Sequence, residues 1–161
     1  MVAFEIGHYL KRKTQGKHGM EALKIDMSKA YDRIEWDFLR QMMLVLGFDE
    51  AWIKLIMLCV STVKYMVVHD GHELRPIIPE RGLRQGDPLS PYLFIICAEG
   101  LSSILQNYVS KGLIHGCKVA RSAPIISHLL FVDDSFLFFK ANMQECVKVR
   151  ECLQAYKRAY G

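Results

Sequence analysis

The sequence is poor in features that would organise a small secreted or metal-stapled protein. Its five cysteines, Cys59, Cys97, Cys117, Cys146 and Cys152, are odd in number, and no two form a CxxC pair. That pattern argues against a zinc knuckle and against a disulfide framework. Each cysteine is expected to be a small buried hydrophobe in a reducing, intracellular setting. There are five prolines in 161 residues, and no Pro/Ser-rich tract, internal repeat or low-complexity stretch. Nothing marks a linker, so residues 1–161 read as one domain. No apolar run approaches the roughly 18 residues of a spanning helix; the longest, Tyr92 to Ala98, is stopped by Glu99. Met1 to Glu5 carry an acid and no basic stretch, which predicts no secretory signal. What is present is a globular composition, 51% hydrophobic and 24% charged, with a net charge of +4. That mild basicity suits a nucleic-acid partner without requiring one.

Local patterns predict mixed elements. Val2, Ile6, Tyr9 and Leu10 share a helical face. From Ala22 to Met27, Leu23, Ile25 and Met27 alternate with Lys24 and Asp26, as in a strand with one buried and one open face. Asp32, with Glu35 three residues on, reads as a capping box for a helix through Trp36, Leu39, Met43 and Leu46. Asp49 caps a second helix with Ile53, Ile56 and Val60 inward. Asp70-Gly71 predicts a hairpin turn. Ser90 and Pro91 open a long helix after a Gly/Pro-rich loop. Apolar strands flank Asp133-Asp134, and Asn142 caps a last helix. Strands and helices alternate without a regular βαβ rhythm, which favours an α+β fold, an antiparallel sheet backed by helices.

The chemistry concentrates in acids. Asp133 and Asp134 are adjacent at the tip of an apolar hairpin, where two carboxylates repel unless a cation compensates. An oxygen-only donor set points to Mg²⁺ or Mn²⁺. Asp26 ends a strand on its polar face. A third carboxylate beside such a pair permits a two-metal site of the kind that drives phosphoryl transfer.

Three stretches then resemble the ordered palm motifs of reverse transcriptases. They are Lys24 to Arg33 (KIDMSKAYDR), Gly82 to Pro91 (GLRQGDPLSP) and Phe131 to Asp134 (FVDD). Their wording is most similar to non-LTR, LINE-type retrotransposons, over nearly the whole chain. Group II intron maturases share much of the palm, and a non-catalytic relic or domesticated nucleic-acid-binding fragment would keep the same residues. The upstream or downstream reading frame separates these alternatives.

The resemblance implies an RNA-directed DNA polymerase palm using two Mg²⁺ or Mn²⁺ ions, with fingers and thumb largely absent. It implies that Asp26, Asp133 and Asp134 are the catalytic, metal-site acids, with Asp26 and Asp133 binding the two ions and Asp134 beside them as the weaker acid. Met27, Ser28, Lys29 and Ala30 would cradle the triphosphate, and Tyr31 would sit under the sugar and exclude a 2′-hydroxyl. Gln85 and Gly86 would lie against the nascent base pair. Arg84, Phe131 and Val132 would meet template or primer. The implied partners are an RNA template, a DNA primer, dNTPs and the rest of a parent polyprotein (fingers, thumb and an endonuclease), with no membrane. The implied location is the nucleus or cytoplasm, and the isolated chain is expected to be inactive.

Overall fold

A computed structural model of the chain describes residues 6, 8, 19–27, 29–120, 122–131 and 134–160. Most of the expected opening helix lies outside these residues; Ile6 and His8 are helical, and Ile6 is buried. Contacts group the chain into two compact units, residues 1–28 with 98–159 and residues 29–97 with 160–161.

The first unit is built on a three-stranded antiparallel sheet. It comprises β1 (Met20–Asp26), β4 (His128–Leu130) and β5 (Asp134–Lys140) in the order β1-β5-β4. The central strand β5 is apolar on both faces, as its sequence requires, because both faces are covered. On one face Phe136 and Phe138 pack with Ile6, Cys117, Ile126 and Leu129. On the other lie Leu137 and His128, which are paired in register. His128 Nε2 is 3.1 Å from Ser102 Oγ on α3 (Ser90–Ser110). Burial lowers the His128 pKa, opposed by the Glu99 charge, so the imidazole is held neutral between Ser102 and Ser127.

Two expectations about the sheet need correction. β1 is an edge strand in the described sheet, so Leu23 is 37% exposed although it lies on the face expected to be buried. The face of Lys24 and Asp26 is not open along its length, because its other end carries Phe138, which is 1% exposed. The acids occupy the uncovered end of a partly covered face.

α4 (Met143–Tyr160) begins where Asn142 predicted: its Oδ1 accepts from the Glu145 N–H at 2.8 Å. Val149, Cys152 and Tyr156 form the buried stripe. α3 runs on through Glu99 to Ser110, close to the expected extent, and its 21 residues are long and apolar enough to cross a membrane by length and composition. Leu93, Phe94, Cys97, Leu101 and Leu105 are buried at helical spacing, the pattern of a core helix.

The second unit contains α1 (Trp36–Val45), α2 (Glu50–Ser61) and a hairpin of β2 (Val68–His69) and β3 (His72–Glu73). Asp49 caps α2 as expected, accepting from Ala51 N–H at 2.8 Å, and Ile53, Ile56 and Val60 face inward. Asp70 (φ 50°) and Gly71 (φ 78°) are both left-handed, the backbone that an Asp-Gly hairpin turn demands. Asp32 does not cap α1. The chain turns first, with Asp32 N–H donating to Lys29 C=O at 3.0 Å, and Glu35 becomes the N-cap without a side-chain bond. Ser90 does not cap α3 with its side chain either, since its hydroxyl donates to Arg84 C=O at 2.7 Å. Of the cysteines, Cys97, Cys117 and Cys152 are buried as expected, and burial pushes the Cys97 thiol up to about 12. Cys59 and Cys146 are exposed, because they fall on the outer faces of α2 and α4.

One buried charge stabilises the first unit. Glu145 is 5% exposed. It accepts from His115 N–H at 2.9 Å, Lys140 N–H at 3.0 Å and the His115 imidazole at 2.9 Å. Burial acts to raise its pKa, but these hydrogen bonds together outweigh it and bring the carboxyl below the ordinary 4.5. A folded value below the unfolded one means the contribution is complete above 4.5 and is lost as pH falls through the folded value. Glu145→Gln should therefore lower stability at neutral pH by about 1–3 kcal/mol. It should also flatten the loss of stability on acidification. Urea unfolding at neutral and acidic pH measures both, and an unchanged acid limb would show that Glu145 does not set it.

Candidate active site

Two of the acids that the sequence singled out, Asp26 and Asp134, are brought together by strand register. β1 and β5 pair antiparallel from Met20↔Lys140 to Asp26↔Asp134. Directly paired residues point to the same face with Cβ atoms about 4.5–5.5 Å apart. Two carboxylates therefore share the end of one sheet face. Phe131 N–H donates to Asp134 C=O at 3.0 Å, closing the connection from β4. Phe131 is 53% exposed there. Asp133, Val132 and Ser28 lie outside the described residues.

Sequence reasoning missed Lys24. Its Nζ lies 3.0 Å from Asp134 Oδ1, so a cation already partners one of the acids. The signal was present: Lys24 is two residues before Asp26 and alternation puts both on one face.

Met27 belongs to the first unit, and Lys29, Ala30, Tyr31, Arg84, Gln85 and Gly86 belong to the second, where two segments are fastened to each other. Leu83 N–H donates to Tyr31 C=O at 2.9 Å and Gly82 N–H to Ile34 C=O at 2.8 Å. The Trp36 indole N–H donates to Gly82 C=O at 2.8 Å, and Arg81 pairs with Glu35 at 3.2 Å. Gln85 Nε2 donates to Asp32 Oδ1 at 3.3 Å, so Asp32 orients a neighbouring loop instead of capping a helix. The Tyr31 ring packs on Phe94 with centroids 5.4 Å apart. Lys29 is left-handed at φ 57°, and Ala30 is buried with its carbonyl accepting from the Tyr160 hydroxyl. Burial raises the Tyr160 pKa further above the tyrosine range, so that hydroxyl remains a donor. Arg84 and Arg81 line an open depression of about 260 Å³ with Asp32 and Tyr65. Gly86 is exposed and left-handed at φ +83°.

The model of the reverse transcriptase (RNA-dependent DNA polymerase) family matches residues 2–161. The chain belongs to this family. It is 29% identical over 129 residues to a retrovirus-related Pol polyprotein from a type-1 R2 retrotransposable element of Popillia japonica, covering 79% of this chain and 21% of that protein. A stretch of 59 residues is 52% identical to an uncharacterized mitochondrial protein of Arabidopsis thaliana, covering 37% of this chain and 48% of that one. The chain thus spans less than half the length of these relatives. Among solved structures, telomerase from Candida tropicalis with a fragment of telomeric RNA matches at a TM-score of 0.66 and 15% identity. That match covers 96% of this chain and 26% of the telomerase. The likeness is one of fold, and it agrees with the α+β architecture expected of a polymerase palm.

Among the described glycines of the second unit, Gly82 has the closest neighbours. Its φ is +88°, and a Cβ there would lie 3.0 Å from the Asp32 carbonyl oxygen and 3.1 Å from Asp32 Cα. Both obstacles are backbone, so they cannot swing aside. Gly82→Ala should destabilise the protein by at least about 1 kcal/mol, through the left-handed backbone and the crowding together. Thermal unfolding of the two proteins checks this, and an unchanged midpoint would mean that the clamp is loose.

Proposed function

We propose that this chain is the palm core of an RNA-directed DNA polymerase that works by metal-assisted nucleotidyl transfer. The observation that carries this reading is the register pairing of Asp26 with Asp134 in a chain of the reverse transcriptase family. Divalent cations are general to that family. The donor set suits them: two carboxylates opposed across adjacent strands offer hard oxygen ligands, and Asp134 is 45% exposed. Asp26 and Asp134, with Asp133, would hold two Mg²⁺ or Mn²⁺ ions. When bound, such ions supply Lewis acidity and stabilise charge on the attacking and leaving oxygens.

The chain's own residues would then divide the remaining work. Tyr31, backed by Phe94, offers an aromatic wall to the nucleotide sugar. Backbone N–H groups from Met27 to Ala30 would receive the triphosphate. Gln85, steadied by Asp32, and Gly86 would face the base pair. Arg84 would meet template phosphate, and exposed Phe131, with Val132, the primer end. The partners in this reading are an RNA template, a DNA primer, dNTPs and the rest of a parent polypeptide. The protein would act in the nucleus or cytoplasm. Polymerisation requires template, primer and nucleotide held together in near-attack geometry. The isolated 161-residue chain is therefore expected not to extend primers.

Two measurements on the polymerase completed with its parent's flanking regions test the proposal. Asp26→Asn should reduce primer extension on an RNA template on the order of a thousandfold, because several kcal/mol of transition-state stabilisation are lost. Extension close to the wild-type rate would sink the proposal. Tyr31→Ala should raise the ratio of ribonucleotide to deoxynucleotide incorporation by about tenfold or more, because the wall against the 2′ position is gone. An unchanged ratio would leave Tyr31 as a core aromatic alone.

A further inference from the structure

Lys24 stands opposite Phe136 in the β1–β5 register, and Asp26 stands opposite Asp134. Lys24 therefore reaches Asp134 diagonally along the ladder, within the range of a long side chain, and ends 3.0 Å from Oδ1. Both side chains are about half exposed, at 57% and 45%. An ion pair so exposed contributes little to fold stability. Its consequence is local: an ammonium group occupies one carboxylate where a divalent cation is expected. Ammonium and metal cannot both take Asp134 at full strength, and they repel each other at the separations this face allows.

We infer that Lys24 is a positioning residue that holds Asp134 as a counter-ion and so keeps divalent-cation affinity low until a nucleotide arrives. The inference rests on reading the Asp26 and Asp134 pair as a metal site. Phosphates of an incoming nucleotide carry the negative charge that offsets Lys24, so metal binds together with substrate rather than ahead of it. Lys24 also shares the face of Asp26, which places its charge beside both described acids.

Titration of Mn²⁺ into the 161-residue chain, followed by electron paramagnetic resonance, tests this without any activity assay. Lys24→Met should bind Mn²⁺ about fivefold more tightly than wild type, the size expected for removing one nearby screened charge. Lys24→Gln should behave like Lys24→Met, and Lys24→Arg like wild type. Asp134→Asn should weaken binding in the wild-type background, because it leaves the Lys24 ammonium uncompensated, and should erase the gain in the Lys24→Met background. General damage to the strand would weaken Mn²⁺ binding, so a tighter site is a readout that a merely structural role does not produce. Unchanged or weaker binding by folded Lys24→Met and Lys24→Gln overturns the inference. If Asp26→Asn weakens binding while those variants match wild type, only the role of Lys24 falls. If Asp26→Asn is also without effect, or no variant binds Mn²⁺, the metal-site reading falls with it.

Discussion

The candidate active site depends on one register, the pairing of β1 with β5. A slip of one residue would send the side chains of β1 to opposite faces. Asp26 would then no longer share a face with Asp134. Burial on both faces of β5 guards against that slip: Leu137 and Phe138 are each 1% exposed and Phe139 3%. No shift of β5 by one position preserves the cover of all three. At the far end of the strand, the backbone N–H of Lys140 is bound by the buried carboxylate of Glu145. The acids thus occupy the open end of a strand whose remaining length is fixed by packing and by a buried hydrogen bond.

A different kind of constraint shapes the second unit. There the segments carrying Tyr31 and Gln85 are joined by backbone hydrogen bonds and by a glycine set against a backbone. Side-chain packing tolerates exchange of one apolar residue for another of similar volume. A left-handed glycine against a carbonyl does not. Rigid backbone would suit the nucleotide-receiving role proposed for these segments, because a cleft wall that shifts by about 1 Å loses near-attack geometry. Tyr31 is held at two points: its ring packs on Phe94, and its backbone carbonyl accepts from Leu83 N–H.

The parts of this architecture that were legible in the sequence are those governed by near neighbours. Asp49 and Asn142 each cap a helix through a bond to an N–H two or three residues away. Asp70-Gly71 makes its turn within itself, and alternation in β1 needs only a period of two. Asp32 looked like a cap by the same local logic and is not one. A left-handed Lys29 inserts a turn before α1, and Gln85, 53 residues away, takes the carboxylate. Cys59 and Cys146 failed for a related reason. Residue type favours burial, but their positions on helices already buried through Val60 and Val149 turn them outward.

The charged residues that the sequence did not reveal share one property: their partners lie far along the chain. Glu145 is bound to His115, 30 residues away, and Lys24 to Asp134, 110 positions along. A carboxylate on a helix is ordinarily solvated, and the place of Glu145 in the first turn of α4 does not reveal that it is buried while Glu151 pairs with Lys148 on the surface. A long-range contact is what separates them: α4 follows β5 directly in the chain, and the fold brings the His115 N–H and imidazole against Glu145 in its first turn. The register of β1 on β5 likewise gives Lys24 its meaning. Alternation alone makes Lys24 a polar residue on a polar face; pairing with β5 makes it the cation beside a candidate metal ligand. Motif reading finds residues that resemble a known pattern, whereas the ions that compensate them emerge only when the strands are laid side by side.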